Sequence, residues 1–159
     1  MKKLISCLIL AGFLGGLVFA DEIKAPLGQN PFSKEEKFPG DYFLIPSNLP
    51  HFMKVFRLQK ENKAWNLSKE QIEKLQAAQE EVLSAVVSLA EKIKKLELEM
   101  VDAVVYEGKN LKEVEVKLQE IANLRLEMTK KHVECINIFY KTLSKEQYKI
   151  LLELVKQEQ

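Results

Sequence analysis

The sequence predicts an all-α protein: a long antiparallel helical hairpin with short helices at each end, behind an extended N-terminal arm. Three observations carry that prediction. All five prolines fall between Pro26 and Pro50, and beyond Pro50 the only glycine is Gly108. Apolar residues beyond Pro50 recur at alternating spacings of three and four, the period of one helix face. The five letters Leu-Ser-Lys-Glu-Gln occur twice, at Leu67–Gln71 and Leu143–Gln147. Each copy has the chemistry to start a helix. So few breakers leave no room for the turns of a β-protein, nor for glycine-rich loops that cradle phosphate.

Residues 1–20 read as a signal peptide. Lys2 and Lys3 precede an uncharged, mostly apolar run from Leu4 to Val18, and Val18-Phe19-Ala20 suits cleavage before Asp21. The run is short for a membrane span of about 20 residues. A leader of this kind places the protein in the periplasm. Without Lys2 and Lys3 the 24 basic residues become 22 against 23 acidic ones, a net of −1. Such a balance gives no electrostatic drive toward nucleic acid. Cys135 is then the lone cysteine, which excludes an internal disulfide.

Residues 21–50 form the extended Pro-rich arm. Phe32, Phe38, Tyr42, Phe43 and Leu44 make it too apolar for a pure linker, so it drapes over its own helices or a partner subunit, with disorder of residues 21–40 in isolation as the alternative. Residues 51–159 form the helical domain. A first short helix starts near His51, just after Pro50, with Phe52, Val55 and Phe56 on one side. The second starts at the first box: Ser68 is its N-cap, Gln71 reaches back, and Leu67 and Ile72 form a hydrophobic staple. Its seam runs through Leu75, Val82, Val86, Leu89, Ile93, Leu96, Met100 and Ala103, interrupted by Gln79. Glu107–Asn110 is a polar break suited to a helix end and chain reversal. The pattern restarts through Val114, Leu118, Ile121, Met128, His132, Cys135 and Phe139, interrupted by Arg125. The second box opens the last helix, with Tyr148, Leu151, Leu152 and Val155 on its apolar side. Glutamate-first pairs such as Glu113/Lys117 and Glu127/Lys131 suit exposed helix faces. Apolar residues off the seam, among them Leu83, Val105, Val116 and Ile138, exceed what one partner helix covers. A homodimer is therefore expected.

Two Leu-Ser-x-x-Gln boxes flanking a helical hairpin behind a leader resemble the Spy/CpxP superfamily, whose hallmark is a doubled Leu-Thr-x-x-Gln motif. Serine replaces threonine in both boxes here and keeps the capping hydroxyl. The resemblance spans residues 48–157. It implies a four-helix, cradle-shaped protomer and an antiparallel dimer in the periplasm. It also implies an envelope-stress role, either as an ATP-independent chaperone for unfolded or partly folded proteins or as a heavy-metal sensor or resistance protein binding Zn, Cu, Ni or Co. A membrane sensor ectodomain is a further partner class.

Met128, His132 and Cys135 stand at i, i+4 and i+7 on one helix face, a donor set suited to Zn or Cu. Metal-sensing relatives carry a paired His-x-x-x-His near the first helix, whereas this chain has only His51, with Met53 beside it. The competing reading packs Met128 and Cys135 in the seam and leaves His132 as a partly buried polar residue. Phe52, Phe56, Trp65, Phe139, Tyr140 and Tyr148 suit either an adaptable client-binding face or a core tying the short helices to the hairpin. Catalysis has no footing: the two histidines, His51 and His132, lie far apart in sequence, and no nucleophile or metalloprotease motif occurs. The protein is read as a non-enzyme.

Overall fold

A computed structural model describes residues 38–157; the leader at 1–20 and arm residues 21–37 lie outside them. The described residues are all-α, with no strand among them. A 3-10 turn at Gly40–Tyr42 precedes α1 (Phe52–Gln59), α2 (Lys69–Val101), α3 (Leu111–Thr142) and α4 (Lys145–Gln157). No helix among the described residues is long and apolar enough to cross a membrane.

Helix α2 has 33 residues, about 50 Å of rod. It starts where the capping chemistry dictates. Ser68 has extended backbone and its hydroxyl accepts from Gln71 N at 3.2 Å, while Gln71 Oε1 accepts from Ser68 N at 2.9 Å. The second box repeats this: Ser144 N donates to Gln147 Oε1 at 2.9 Å and Gln147 N to Ser144 Oγ at 3.2 Å. A third capping box, unmarked by the repeat, opens α3, where Asn110 and Glu113 exchange the same bonds.

The far end of α2 differs from a plain helix stop. It widens into a π-helical turn at Asp102–Tyr106, closed by Glu107 N donating to Asp102 O at 3.0 Å. Gly108 then takes a left-handed conformation at φ 67°, and Lys109 N returns to Ala103 O at 2.9 Å. That bond, reaching back six positions, satisfies an orphan carbonyl and turns the chain; glycine adopts this backbone without steric cost.

Helix α3 returns alongside α2 in the opposite direction. Glu97 pairs with Arg125, and Glu99 with Lys117 at 2.7 Å. Lys117 thus reaches across to α2 instead of back to Glu113, and Lys131 takes Glu134 at 2.8 Å instead of Glu127. Glu99 lies across the seam on α2, whereas Glu134 lies one turn along α3 itself; both pairs are partly exposed, where a change of partner costs little.

Two cores form. One joins α1, α4 and the adjoining ends of α2 and α3 through Phe52, Phe56, Trp65, Leu75, Cys135, Phe139 and Leu151. Phe52 and Phe56 stack edge-on against Phe139, and Phe56 also meets Trp65. The other lies midway along the hairpin. There Tyr42 and Phe43 from the arm pack among Val86, Leu89, Ala90, Ile93 and Met128. Leu44 N donates to Thr129 Oγ1 at 2.8 Å. Residues 38–50 are thus a strap laid across the chain's own helices.

Candidate functional site

The paired boxes meet in space. Gln71 Nε2 donates to Gln147 Oε1 at 2.8 Å and to Thr142 O at 2.9 Å. Gln147 Nε2 donates to Gln71 Oε1 at 3.1 Å and to Asn66 O at 2.8 Å. Each glutamine therefore caps its own helix with its oxygen and ties the chain ahead of the other box with its amide. Thr142 and Asn66 both lie two residues before the capping serine, so the clasp is internally symmetric. Asn66 reaches its place with φ 47°, a left-handed conformation that asparagine tolerates well. Trp65 adds a bond from Nε1 to Gln147 O at 3.1 Å. The sequence shows two boxes; their mutual bonding depends on how the hairpin returns.

A cleft of about 290 Å³ opens between the strap, α1 and the α2–α3 pair. Its walls include Phe43, Met53, Val82, Leu83, Val86, His132 and Cys135, with His51, Lys54, Arg57 and Gln79 also lining it. His132 ties the strap down. Its Nε2 lies 3.1 Å from Pro50 O, which accepts, so that nitrogen carries the proton and Nδ1 holds a lone pair. Nδ1 is buried without a hydrogen-bond partner. The His51 ring stacks on His132, with centroids 4.6 Å apart and planes at 10°. Phe43 packs against both rings. Burial lowers the His132 pKa below its usual value, repulsion from His51 lowers it further, and the Pro50 bond opposes both.

Met128, His132 and Cys135 are all buried, as one face of α3 requires. They divide between the two cores: Met128 packs with the strap residues and Cys135 with the α1/α4 end. Burial pushes the Cys135 thiol up to about 12, so without a metal it stays protonated. The stacked imidazoles hold their in-plane lone pairs in parallel planes, so they do not converge on one ion. No group of three His, Cys, Asp or Glu side chains among the described residues is placed to hold a metal. The sequence set alone omits His51, Met53 and the cleft, which only the fold brings beside His132.

Phe52, Phe56, Trp65 and Phe139 are core residues, while Tyr140 is 68% exposed. Arg125 pairs with Glu97 and lies 5.6 Å over the Tyr42 ring, so it anchors the strap as well as the seam. Outside the cleft, apolar side chains also stand exposed on α3. Leu126, Val133 and Tyr140 recur every seven residues along an exposed line of α3. Lys130, Asn137 and Lys141 flank that line on one side.

No family model, curated protein or solved structure matches the chain.

Proposed function

We propose that this protein is a periplasmic, ATP-independent chaperone-like binder of unfolded or partly folded proteins, built on a Spy/CpxP-type helical hairpin. The observation that supports this reading is the exposed line of Leu126, Val133 and Tyr140 on α3, with charge beside it. An apolar line rimmed by polar groups holds another protein's apolar segments by area alone, and the flanking charge keeps the complex wet and reversible. Nothing in that contact needs nucleotide. A line of period seven also suits a second copy of the chain, so a homodimer that leaves part of it open belongs to the same reading.

The test is suppression of light scattering by a reduced or heated client in the absence of ATP. Wild-type protein at a few-fold molar excess keeps the client soluble, and the double variant Leu126→Glu, Val133→Glu loses most of that effect with an unchanged helical CD signal. Equal suppression by the double variant, or none by the wild type, defeats the proposal.

Metal response is the second reading, favoured by the gathering of His51, Met53, His132 and Cys135 on one cleft. It requires the exposed His51 ring to leave its stack. Titration with Zn(II) or Cu(I) then shows stoichiometric binding that His132→Ala abolishes. An unchanged isotherm in that variant ends it.

A further inference from the structure

We infer that the cleft under the strap binds one anionic amphiphile, an aliphatic tail ending in a carboxylate. Its interior is a slot for hydrocarbon. Phe43 closes one side, Val82 and Val86 of α2 form the floor, Leu83 stands at the half-exposed mouth, and Met53 of α1 adds a flexible, polarizable wall. A volume of about 290 Å³ stands at the small end of ligand sites, which suits a single acyl chain.

The polar groups are placed unevenly. Lys54 and Arg57 stand one turn apart on α1, and among the described residues no carboxylate lines the cleft. Arg57 makes no ion pair among the described residues. His132 spends its Nε2 proton on Pro50, and burial keeps the ring neutral, so the far wall offers no charge. An apolar slot with cations at one edge and none at the other matches a molecule whose charge sits at one end. The tail leaves water against the α2 wall while the head group stays at the α1 edge, where it meets the Arg57 guanidinium in charge-assisted contact, with the positive charge of Lys54 one turn away.

This site is separate from the exposed line of α3, so its occupancy and the chaperone-like reading stand or fall independently. It also needs no metal, and the measurement is made in the presence of chelator.

Purified protein is titrated by calorimetry with decanoate below its micelle concentration, with decanol as the uncharged analogue of equal length. Saturable uptake of one decanoate per chain is expected, with decanol bound at least about tenfold more weakly. Arg57→Glu, an exposed and unpaired position, lowers decanoate affinity about tenfold or more and leaves decanol unchanged. Leu83→Trp, at the half-exposed mouth, blocks both ligands. CD melts of the two variants establish that they are folded. Equal binding of acid and alcohol, or an Arg57→Glu isotherm like that of the wild type, overturns the proposal. So does uptake of many equivalents without saturation, or no measurable heat with the folded wild type.

Discussion

Gln147→Ala tests the clasp directly. The substitution removes four side-chain hydrogen bonds: the cap on Ser144 N, the tie to Asn66 O, and both bonds shared with Gln71. The Trp65 bond survives because it uses the Gln147 backbone carbonyl. Each lost bond is half-buried at most, so each contributes about 0.5–1 kcal/mol, and the loss totals about 2–4 kcal/mol. For roughly 120 ordered residues this lowers the melting temperature by roughly 10 °C. Gln71→Ala removes its own set of four, of which two are the same shared bonds. The double variant is therefore less destabilised than the sum of the singles, by about 1–2 kcal/mol. Urea melts of wild type, both singles and the double, followed by CD, give all the terms. Singles that cost under about 0.5 kcal/mol, or effects that simply add, refute the clasp as a coupled device.

Two further outcomes follow from geometry at the strap and at the tip. His132 has a folded-state pKa below its unfolded value, so the folded protein binds fewer protons in that window. The stability it contributes is fully present above about pH 6.5 and is lost as pH falls through the lowered value. The melting temperature of the wild type thus drops between about pH 7.5 and 5.5 more than that of His132→Gln, which keeps a donor for Pro50 without titrating; equal drops contradict this. Gly108→Ala forces a Cβ into the left-handed region at φ 67°, with open space around it, so the cost is backbone strain of about 1–2 kcal/mol. It shows in hydrogen exchange as faster amides at Lys109 and through the π turn, and unchanged exchange there would mean the turn is not held by that conformation.

The helical class and the places where helices begin were legible because the signals are local. A serine with a glutamine three residues on, and apolar residues at helical spacing, act within a turn or two. The Gly108 reversal was legible for the same reason. What stayed hidden depends on register between distant segments. Lys117 chose Glu99 over Glu113 only because α2 lies within reach. The π turn at Asp102–Tyr106 has no composition cue, since Asp-Ala-Val-Val-Tyr would continue an ordinary helix. Burial of Tyr42 and Phe43 could be suspected from an arm rich in aromatics, but not the bond from Leu44 N to Thr129 that sets their place. Met128, His132 and Cys135 all lie buried on α3, while His51 and Met53 arrive from another element.

The arrangement of the two cores grades the packing along the length of the hairpin. At one end four helices, Trp65 and the glutamine clasp bury a full aromatic core. Midway, only the strap thickens the hairpin, and Val82 packs against both clusters. Toward Gly108 the burial thins to Ala103 and Val114, while Val104, Val105, Leu111 and Val116 stand exposed. Stability must therefore fall from the clasp to the tip, because local opening there exposes little that is not already wet. The cleft lies at the junction of the two cores, where His132 holds Pro50 and Val82 and Cys135 form the wall. The cleft therefore borders the clasp-end core through Cys135 and Val82 and the strap through Phe43, so its walls come from both levels of packing.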